Sequence, residues 1–344
     1  MLHISHINLA KGFRGGERQT AILITELGKQ PDIKQQLVCR KDSPLREHLK
    51  AVPNLTFSVA SNQLDGHFSA AKTDVIHAHE AKAVHWAWLH HLMHHTPYIL
   101  TRRVDAPIKD KWLNKKTYTS AHARVAISNV IRNIIDKKKW GATDLVFSVK
   151  GDLRFNPQSS AQIKQQFPNK TLVGHIGALV DKHKGQKLII DCARKMAQSH
   201  PHMQFLCLGD GKDREELESL SVDLSNVTWL GFKNNVGDYI HAFDYFIFPS
   251  RNEGLGSTLL DVIDAKIPII ASDAGGIPDI IQHEQTGLSI QNGNADALCS
   301  AIARLDKDKE LQEKLTAGAS AHLQKFTPAS MAQSYMTIYK AALK

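Results

Sequence analysis

Two α/β domains, each built on a doubly wound parallel sheet, are what this sequence predicts, and three observations predict them. Short apolar runs alternate with helical stretches along nearly the whole chain, the rhythm of parallel strands joined by crossover helices. At 344 residues the chain exceeds what one ordinary α/β core holds, so two domains are expected. Glycine-rich turns close several of the apolar runs, at the carboxyl ends of the strands, where such sheets bind ligands.

The first half opens with an alternating strand at residues 3–9. Lys11-Gly12-Phe13-Arg14-Gly15-Gly16 then makes a glycine-rich loop before an amphipathic helix over residues 17–29. Further strands are expected at 36–39, 55–59, 75–77, 98–100, 124–127 and 145–148. The strand at 75–77 runs out into His77-Ala78-His79. After the strand at 98–100 come Arg102 and Arg103, whose guanidinium forks suit phosphate or carboxylate; an ion pair with Asp105 is the alternative. His85, His90, His91, His94 and His95 share one helical stretch with Trp86 and Trp88. Their four-residue spacings are those of helical metal chelation, yet no carboxylate or cysteine joins them, so a polar helix face is expected. Ser128 reads as a helix cap. Lys137-Lys138-Lys139-Trp140 could touch a membrane interface, but a solvated helix end is the reading preferred.

Residues 151–167, with Asn156-Pro157 and Ser159-Ser160, break the rhythm and read as the interdomain linker. A second α/β run starts at 172–176, and residues 248–288 organise it. There an apolar strand at 245–248 turns at Pro249-Ser250 into a bare loop carrying Glu253, Gly254, Leu255 and Gly256. Ser257 stands at the N-cap position of a helix reaching residue 265, with Thr258 and Asp261 in its first turns, and a strand follows at 268–271. Helix amides beside such a loop make an anion site suited to phosphate. Carboxylates there accept hydrogen bonds from hydroxyls instead. A phosphate together with a set of hydroxyls describes a nucleotide-sugar.

These residues resemble the donor-site signature of the retaining GT-B-fold glycosyltransferases of family 4. Pro249-Ser250, Glu253-Gly254 and Gly275-Gly276-Ile277-Pro278 match its pattern, while Asp261 and Asp279 stand where Glu is usual. The resemblance implies two Rossmann-like domains with parallel sheets facing a deep cleft, and a C-terminal helix crossing back to the first domain. It implies domains at 1–157 (acceptor side), 158–327 (nucleotide-sugar donor side) and 328–344, the returning helix, with Met331, Tyr335, Ile338, Tyr339 and Leu343 on its apolar face. Among its site residues, Gly15 and Gly16 match the family's Gly-Gly loop beside the donor phosphates. His79 matches a histidine aimed at the reacting sugar, and Lys184 the lysine that neutralises the donor diphosphate. The arginine usual before it is Ala178 here, in a loop one residue longer, so either Lys182 or an arginine from elsewhere supplies that charge or diphosphate binding is weaker. Glu253 would hold a donor-sugar hydroxyl and Asp261 the ribose. Gly254, Leu255, Gly256, Ser257 and Thr258 would offer amides, and Gly209 and Phe232 would lie in the turns near the base. Arg102, Arg103 and Lys182 are expected to contact the acceptor or phosphate.

With 42% hydrophobic and 22% charged residues the chain is globular, and no apolar run reaches the length of a membrane span. The start lacks a basic n-region, so no signal peptide is expected. Cys39, Cys192, Cys207 and Cys299 are scattered, which reads as free thiols in a reducing cytoplasm. Asp306-Lys307-Asp308 is the one Asp-x-Asp and lies between helices, away from any strand end, so no metal is expected there. Residues 1–157 carry 24 Lys and Arg against 13 Asp and Glu, a net +11, whereas the remainder is near neutral. A basic first half points to an acidic partner. No nucleic-acid-binding motif is present, so a phosphorylated glycolipid or anionic membrane surface fits better. The expected function is retaining, metal-independent transfer of a sugar from a nucleotide-diphosphate sugar, of UDP type, to a saccharide or glycolipid acceptor of the cell envelope. No cofactor is expected, and the location would be cytoplasmic, peripheral at the inner face of the membrane. A nucleotide-sugar epimerase of the same fold and a non-catalytic nucleotide-sugar-binding subunit are the alternatives.

Overall fold

A computed structural model describes residues 1–68 and 72–344. They form two compact units: Met1–Gly151 with Phe326–Lys344, and Asp152–Lys325. The first holds a seven-stranded sheet of β1 (Leu2–Asn8), β2 (Ile33–Cys39), β3 (Leu55–Val59), β4 (Val75–Ala78), β5 (Tyr98–Arg102), β6 (Ala123–Ala126) and β7 (Thr143–Leu145). All its strand pairs are parallel, in the order β3-β2-β1-β4-β5-β6-β7. The second holds a six-stranded parallel sheet of β8 (Thr171–Ile176), β9 (Met203–Leu208), β10 (Val227–Gly231), β11 (Tyr245–Phe248), β12 (Ile269–Ser272) and β13 (Leu288–Ile290), ordered β10-β9-β8-β11-β12-β13. In each sheet the winding reverses once, between β1 and β4 and between β8 and β11. At such a reversal the loops leaving two neighbouring strands diverge and open a crevice at their carboxyl ends.

Parallel strands covered on both faces must be apolar throughout, and the central strands are. Every residue of β4, β9, β11 and β12 is buried. The exceptions to apolarity are informative: His6 and His77 sit at 0% exposure on paired positions of β1 and β4, and His175 at 0% on β8.

The last helix, Pro328–Ala341, belongs to the first unit and is capped by Thr327, whose hydroxyl accepts from Ser330 N. Its Met331, Ala332, Tyr335 and Tyr339 join Ile4, Val75, Ile99 and Val125 of the sheet and Leu23 and Leu27 of the helix Gly15–Leu27 in one core. Leu343, expected on that apolar face, lies beyond the helix end and is 50% exposed. Tyr339 hydroxyl lies 2.7 Å from His77 Nδ1, and Tyr335 hydroxyl 2.8 Å from Thr101 Oγ1, itself 2.7 Å from His77 Nε2. The returning helix is thus fixed to the buried histidine by directional bonds as well as by area.

Several expectations are corrected. Residues 151–167 are no plain linker, because Asn156-Pro157 opens the helix Pro157–Gln165, with Asn156 Oδ1 accepting from Gln158 N and Ser159 N. The same dipeptide that breaks a pattern also caps a helix with proline at its first position. The seventh strand lies two residues earlier than expected, at Thr143–Leu145. The histidine-rich helix Ala81–His94 is not simply polar, since His90 is buried against Trp86, ring centroids 4.8 Å apart. Trp140 is buried too, with Lys138 over its ring, so that segment offers no aromatic to a membrane. Nor are the thiols all scattered: Cys192 and Cys299 bring their sulfurs to 2.7 Å. Ser128 does cap its helix, accepting from Ile131 N. Asp306 accepts from His202, and Asp308 caps the helix Lys309–His322. Among the described residues no helix is long and apolar enough to cross a membrane.

Tyr339→Phe removes the partner of a buried ring nitrogen and little else. We expect a loss of about 1–3 kcal/mol, the cost of one unsatisfied buried polar group. It would be read as a lower urea midpoint at unchanged slope.

Candidate functional site

In the second unit the loops leaving β8 and β11 converge on one contact. The first becomes the short helix Asp181–Lys184, which ends at Gly185 in the left-handed region, φ 69°. Arg251 N and Asn252 N both donate to His183 O, at 2.8 and 3.3 Å, and so tie this helix to the loop after β11. The outcome is an ion pair between Lys184 and Glu253, with side chains 23% and 12% exposed. The Lys184 ammonium also lies 5.5 Å from the centroid of buried Phe248. The sequence expected both residues but not that they would hold each other.

The loop carrying Glu253 is fixed from the other side by Gly275-Gly276. Gly276 N donates to Glu253 O at 2.9 Å. A Cβ on Gly275, at φ 57°, would run into Glu253 O, and one on Gly276 into Gly254 O. Beyond Glu253, the amides of Gly254, Leu255, Gly256, Ser257 and Thr258 donate no hydrogen bond to protein among the described residues. Five successive bare amides beside a lysine are a ready anion cradle. One side chain differs from expectation here. Ser257 occupies the N-cap of the helix Thr258–Asp264 but makes no side-chain cap, and Leu255 is 2% exposed, so it has only its backbone to offer. Asp261 is buried one turn into that helix. Gly209 ends β9 at φ 134°, where a side chain would strike Gly177 O, so its first task is to let two loops meet. Phe232 follows β10 and is 71% exposed. Ala178 and Lys182 are exposed, and so is Arg251, a cation that sequence reasoning passed over.

In the first unit, Gly15 and Gly16 lie inside the first turn of the helix Gly15–Leu27, whose Glu17 carboxylate accepts from Arg14 N. A Cβ at Gly15 would meet nothing within 4 Å, and one at Gly16 would sit 3.4 Å from Arg103 Cδ. Arg103 donates to Ser148 Oγ at 3.5 Å, while its Nε and Nη2 are buried without a partner. Arg102 donates to Ala106 O and Tyr118 hydroxyl. Neither arginine pairs with Asp105 among the described residues, which removes that alternative.

His79, which the resemblance matches to a histidine aimed at the reacting sugar, is 2% exposed within a trio with His6 and His77. Its Nε2 lies 3.0 Å from His6 Nδ1, and its Nδ1 has no partner. Burial, then the neighbouring histidines and Arg103, hold His77 and His79 far below the usual histidine range and hence uncharged. The three rings offer nitrogens within 4.8 Å of one another. All of these but His79 Nδ1 are already engaged, with Gln35, Tyr339, Thr101 or one another.

Residues 158–322 match the family model described as glycosyl transferases group 1. Among curated proteins the chain is similar to the lipopolysaccharide core biosynthesis glycosyltransferase LpsD of Rhizobium meliloti (strain 1021), 33% identical over 162 residues and 46% of each chain. It is also similar to the sulfoquinovosyl transferase SQD2 of Arabidopsis thaliana, 27% identical over 50% of this chain and 34% of that one. The aligned part is less than half the length of either relative. Among solved structures, Anabaena Alr3699/HepE in complex with UDP matches at TM-score 0.84 and 18% identity, covering 98% of this chain and 99% of that one. The apo lipopolysaccharide outer core galactosyltransferase WaaB matches at 0.72 and 18%, covering 98% and 99%. At such identities the likeness is one of fold, two Rossmann-like α/β units in one chain.

The buried histidines set a pH dependence. His6 and His175 are held at about 4 by burial, against 6.5 in the unfolded chain. Between those values the unfolded state binds more protons, so their contribution is complete above pH 6.5 and lost as pH falls towards 4. At 1.36 kcal/mol per pKa unit each contributes up to about 3 kcal/mol. Melting temperature should fall steeply across that window, and less steeply in His175→Asn, whose amide can still donate to Ile247 O as Nδ1 does.

Proposed function

We propose that this chain, a member of the group 1 glycosyl transferases through its second unit, moves a sugar from a nucleotide-diphosphate sugar of UDP type to a saccharide or glycolipid acceptor. Transfer would proceed with retention and without a metal ion. The observation that carries this reading is the Lys184–Glu253 pair beside the five bare amides after Glu253. A diphosphate entering that cradle competes for the Lys184 ammonium and releases Glu253 to accept from sugar hydroxyls. As the glycosidic bond breaks, charge grows on the departing diphosphate, and the lysine and amides stabilise it where it develops. Lys182, or an arginine such as Arg251, whose backbone amide donates to His183 O in the Lys184 helix, would supply the charge missing at Ala178. Asp261 would accept from the ribose, a contact made equally in ground and transition states. The UDP complex of the Anabaena protein and the lipopolysaccharide-core name of the Rhizobium relative favour a UDP-sugar and an envelope saccharide.

Mass spectrometry of products from a panel of nucleotide-sugars, with and without lipopolysaccharide-core acceptors, tests this directly. A glycosylated acceptor is expected. An isomerised donor or free nucleotide formed without any acceptor would mean an epimerase, and no turnover a binding subunit. Lys184→Ala should lower kcat more than it raises donor KM, by about 2–4 kcal/mol of barrier. Asp261→Ala should mainly raise donor KM, by about 1.5–3 kcal/mol. Wild-type turnover in the lysine variant would remove Lys184 from the site.

The peripheral location is also a proposal, and the first unit supplies a surface for it. Trp112 is 67% exposed at the start of the helix Trp112–Thr119, with Trp88 edge-on at 6.2 Å and Leu92 exposed one turn along from Trp88. Exposed Lys109, Lys111, Lys115 and Lys116 surround it. Aromatic rings among lysines suit an anionic bilayer surface. Co-sedimentation with phosphatidylglycerol-containing vesicles should fall with added salt as screening increases, and fall further in Trp112→Ser. Binding indifferent to salt, lipid charge and Trp112 would refute it.

A further inference from the structure

Among the described residues, Cys192 and Cys299 are the two thiols that the fold brings together, their sulfurs 2.7 Å apart although 107 positions separate them in the chain. Bonded sulfurs lie about 2.0 Å apart, so these two stand nearer to a bond than to simple contact. Their helices, Gln186–Met196 and Ala295–Lys307, pack into one core through Ile189, Cys192 and Ala193 on the first and Leu298, Ala301 and Ile302 on the second. One turn away on each helix, Lys195 and Asp296 form an ion pair at 2.5 Å, a second contact that holds the helices together beside the sulfurs. The two thiols are not alike. Cys192 is fully buried, and the hydrogen bond it donates to Cys299, then burial, hold it above the usual thiol range. Cys299 is half-buried, and the bond from Cys192, then the nearby Lys195 ammonium, hold it below that range. The outer sulfur therefore ionises and meets solvent, with the inner one directly behind it. Neither Cys39, whose sulfur accepts from Arg46, nor Cys207, pushed up to about 12 by burial, bonds to another sulfur among the described residues.

We propose that Cys192 and Cys299 are a site of oxidative modification, at which a peroxide converts the two thiols into a disulfide that staples the two helices and a dithiol reverses it. The thiolate sulfur of Cys299 attacks one oxygen of hydrogen peroxide and the O–O bond breaks. The sulfur is oxidised to a sulfenic acid, and the other oxygen leaves as hydroxide, which takes up a proton from solvent. The Cys192 sulfur then attacks the Cys299 sulfur, so that the S–S bond forms as the S–O bond breaks, and the oxygen leaves as water with the Cys192 proton. The loop so closed contains β9 to β13 together with the bare amides after Glu253.

The test treats the full chain, first reduced with dithiothreitol and desalted, with stoichiometric hydrogen peroxide. The intact mass is expected to fall by two hydrogens, free thiols to fall from four to two, and a non-reducing digest to join the Cys192 peptide to the Cys299 peptide. Closing so long a loop should raise the melting temperature by about 5–15 °C, and dithiothreitol should reverse the rise. Cys299→Ser, at a half-buried position, should abolish each of these changes, and Cys39→Ser none of them. Four thiols remaining after peroxide, a bond to Cys207 or between two chains, or an added oxygen that never gives way to a disulfide would overturn the proposal, whether or not the serine variants fold. So would a cross-linked chain that melts no higher than the reduced one.

Discussion

The second unit depends on one contact, the ion pair between Lys184 and Glu253. Its partners come from loops 69 residues apart, and each loop is shaped to deliver one of them. Gly185 ends the lysine's helix in a conformation few side chains adopt, close against Pro249. Gly275-Gly276 brings a third loop hard against the backbone of the glutamate. Removing either partner would strand a charge in a half-buried place, which costs more than the pair itself contributes. The pair thus keeps a cation and a carboxylate poised, mutually neutralised, beside amides that bond to none of the described residues.

The first unit meets the same demand with neutral groups. Its polar residues at the sheet reversal are histidines on β1 and β4, buried so fully that charging them is unfavourable, and every hydrogen bond they make must come from tautomers. His77 spends both nitrogens on hydroxyls that hold the last helix, while His6 spends both on Gln35 and His79. His77 thereby ties the last helix to the sheet, and His6 ties β2 to His79. Only His79 is left with an unused atom.

What was legible in the sequence follows from what is local. Strand rhythm, the N-cap at Ser128 and the Pro249–Asp261 pattern depend on neighbours in the chain, and they could be read. The Asn156-Pro157 helix is ambiguous in the sequence, because capping and breaking use the same residues. The pairing of Lys184 with Glu253, the meeting of Cys192 with Cys299 and the joining of His6 to His79 depend on sheet order and on loops that approach backbone to backbone. One signal for His6 was present and unused. A histidine inside a strand that must be buried on both faces needs partners, from neighbouring strands or from a helix packed on the sheet.

The two glycine pairs show how alike residues come to do different things. At Gly275-Gly276 the space a side chain would need is filled by backbone carbonyls, so glycine is required by packing whether or not any ligand ever binds. At Gly15 that space is empty, and no contact in the protein explains the choice. One residue on, at Gly16, a side chain would sit 3.4 Å from Cδ of Arg103, whose Nε and Nη2 are buried without a partner. Glycine at 275 and 276 therefore belongs to the scaffold that holds Glu253, whereas packing makes no such demand at 15.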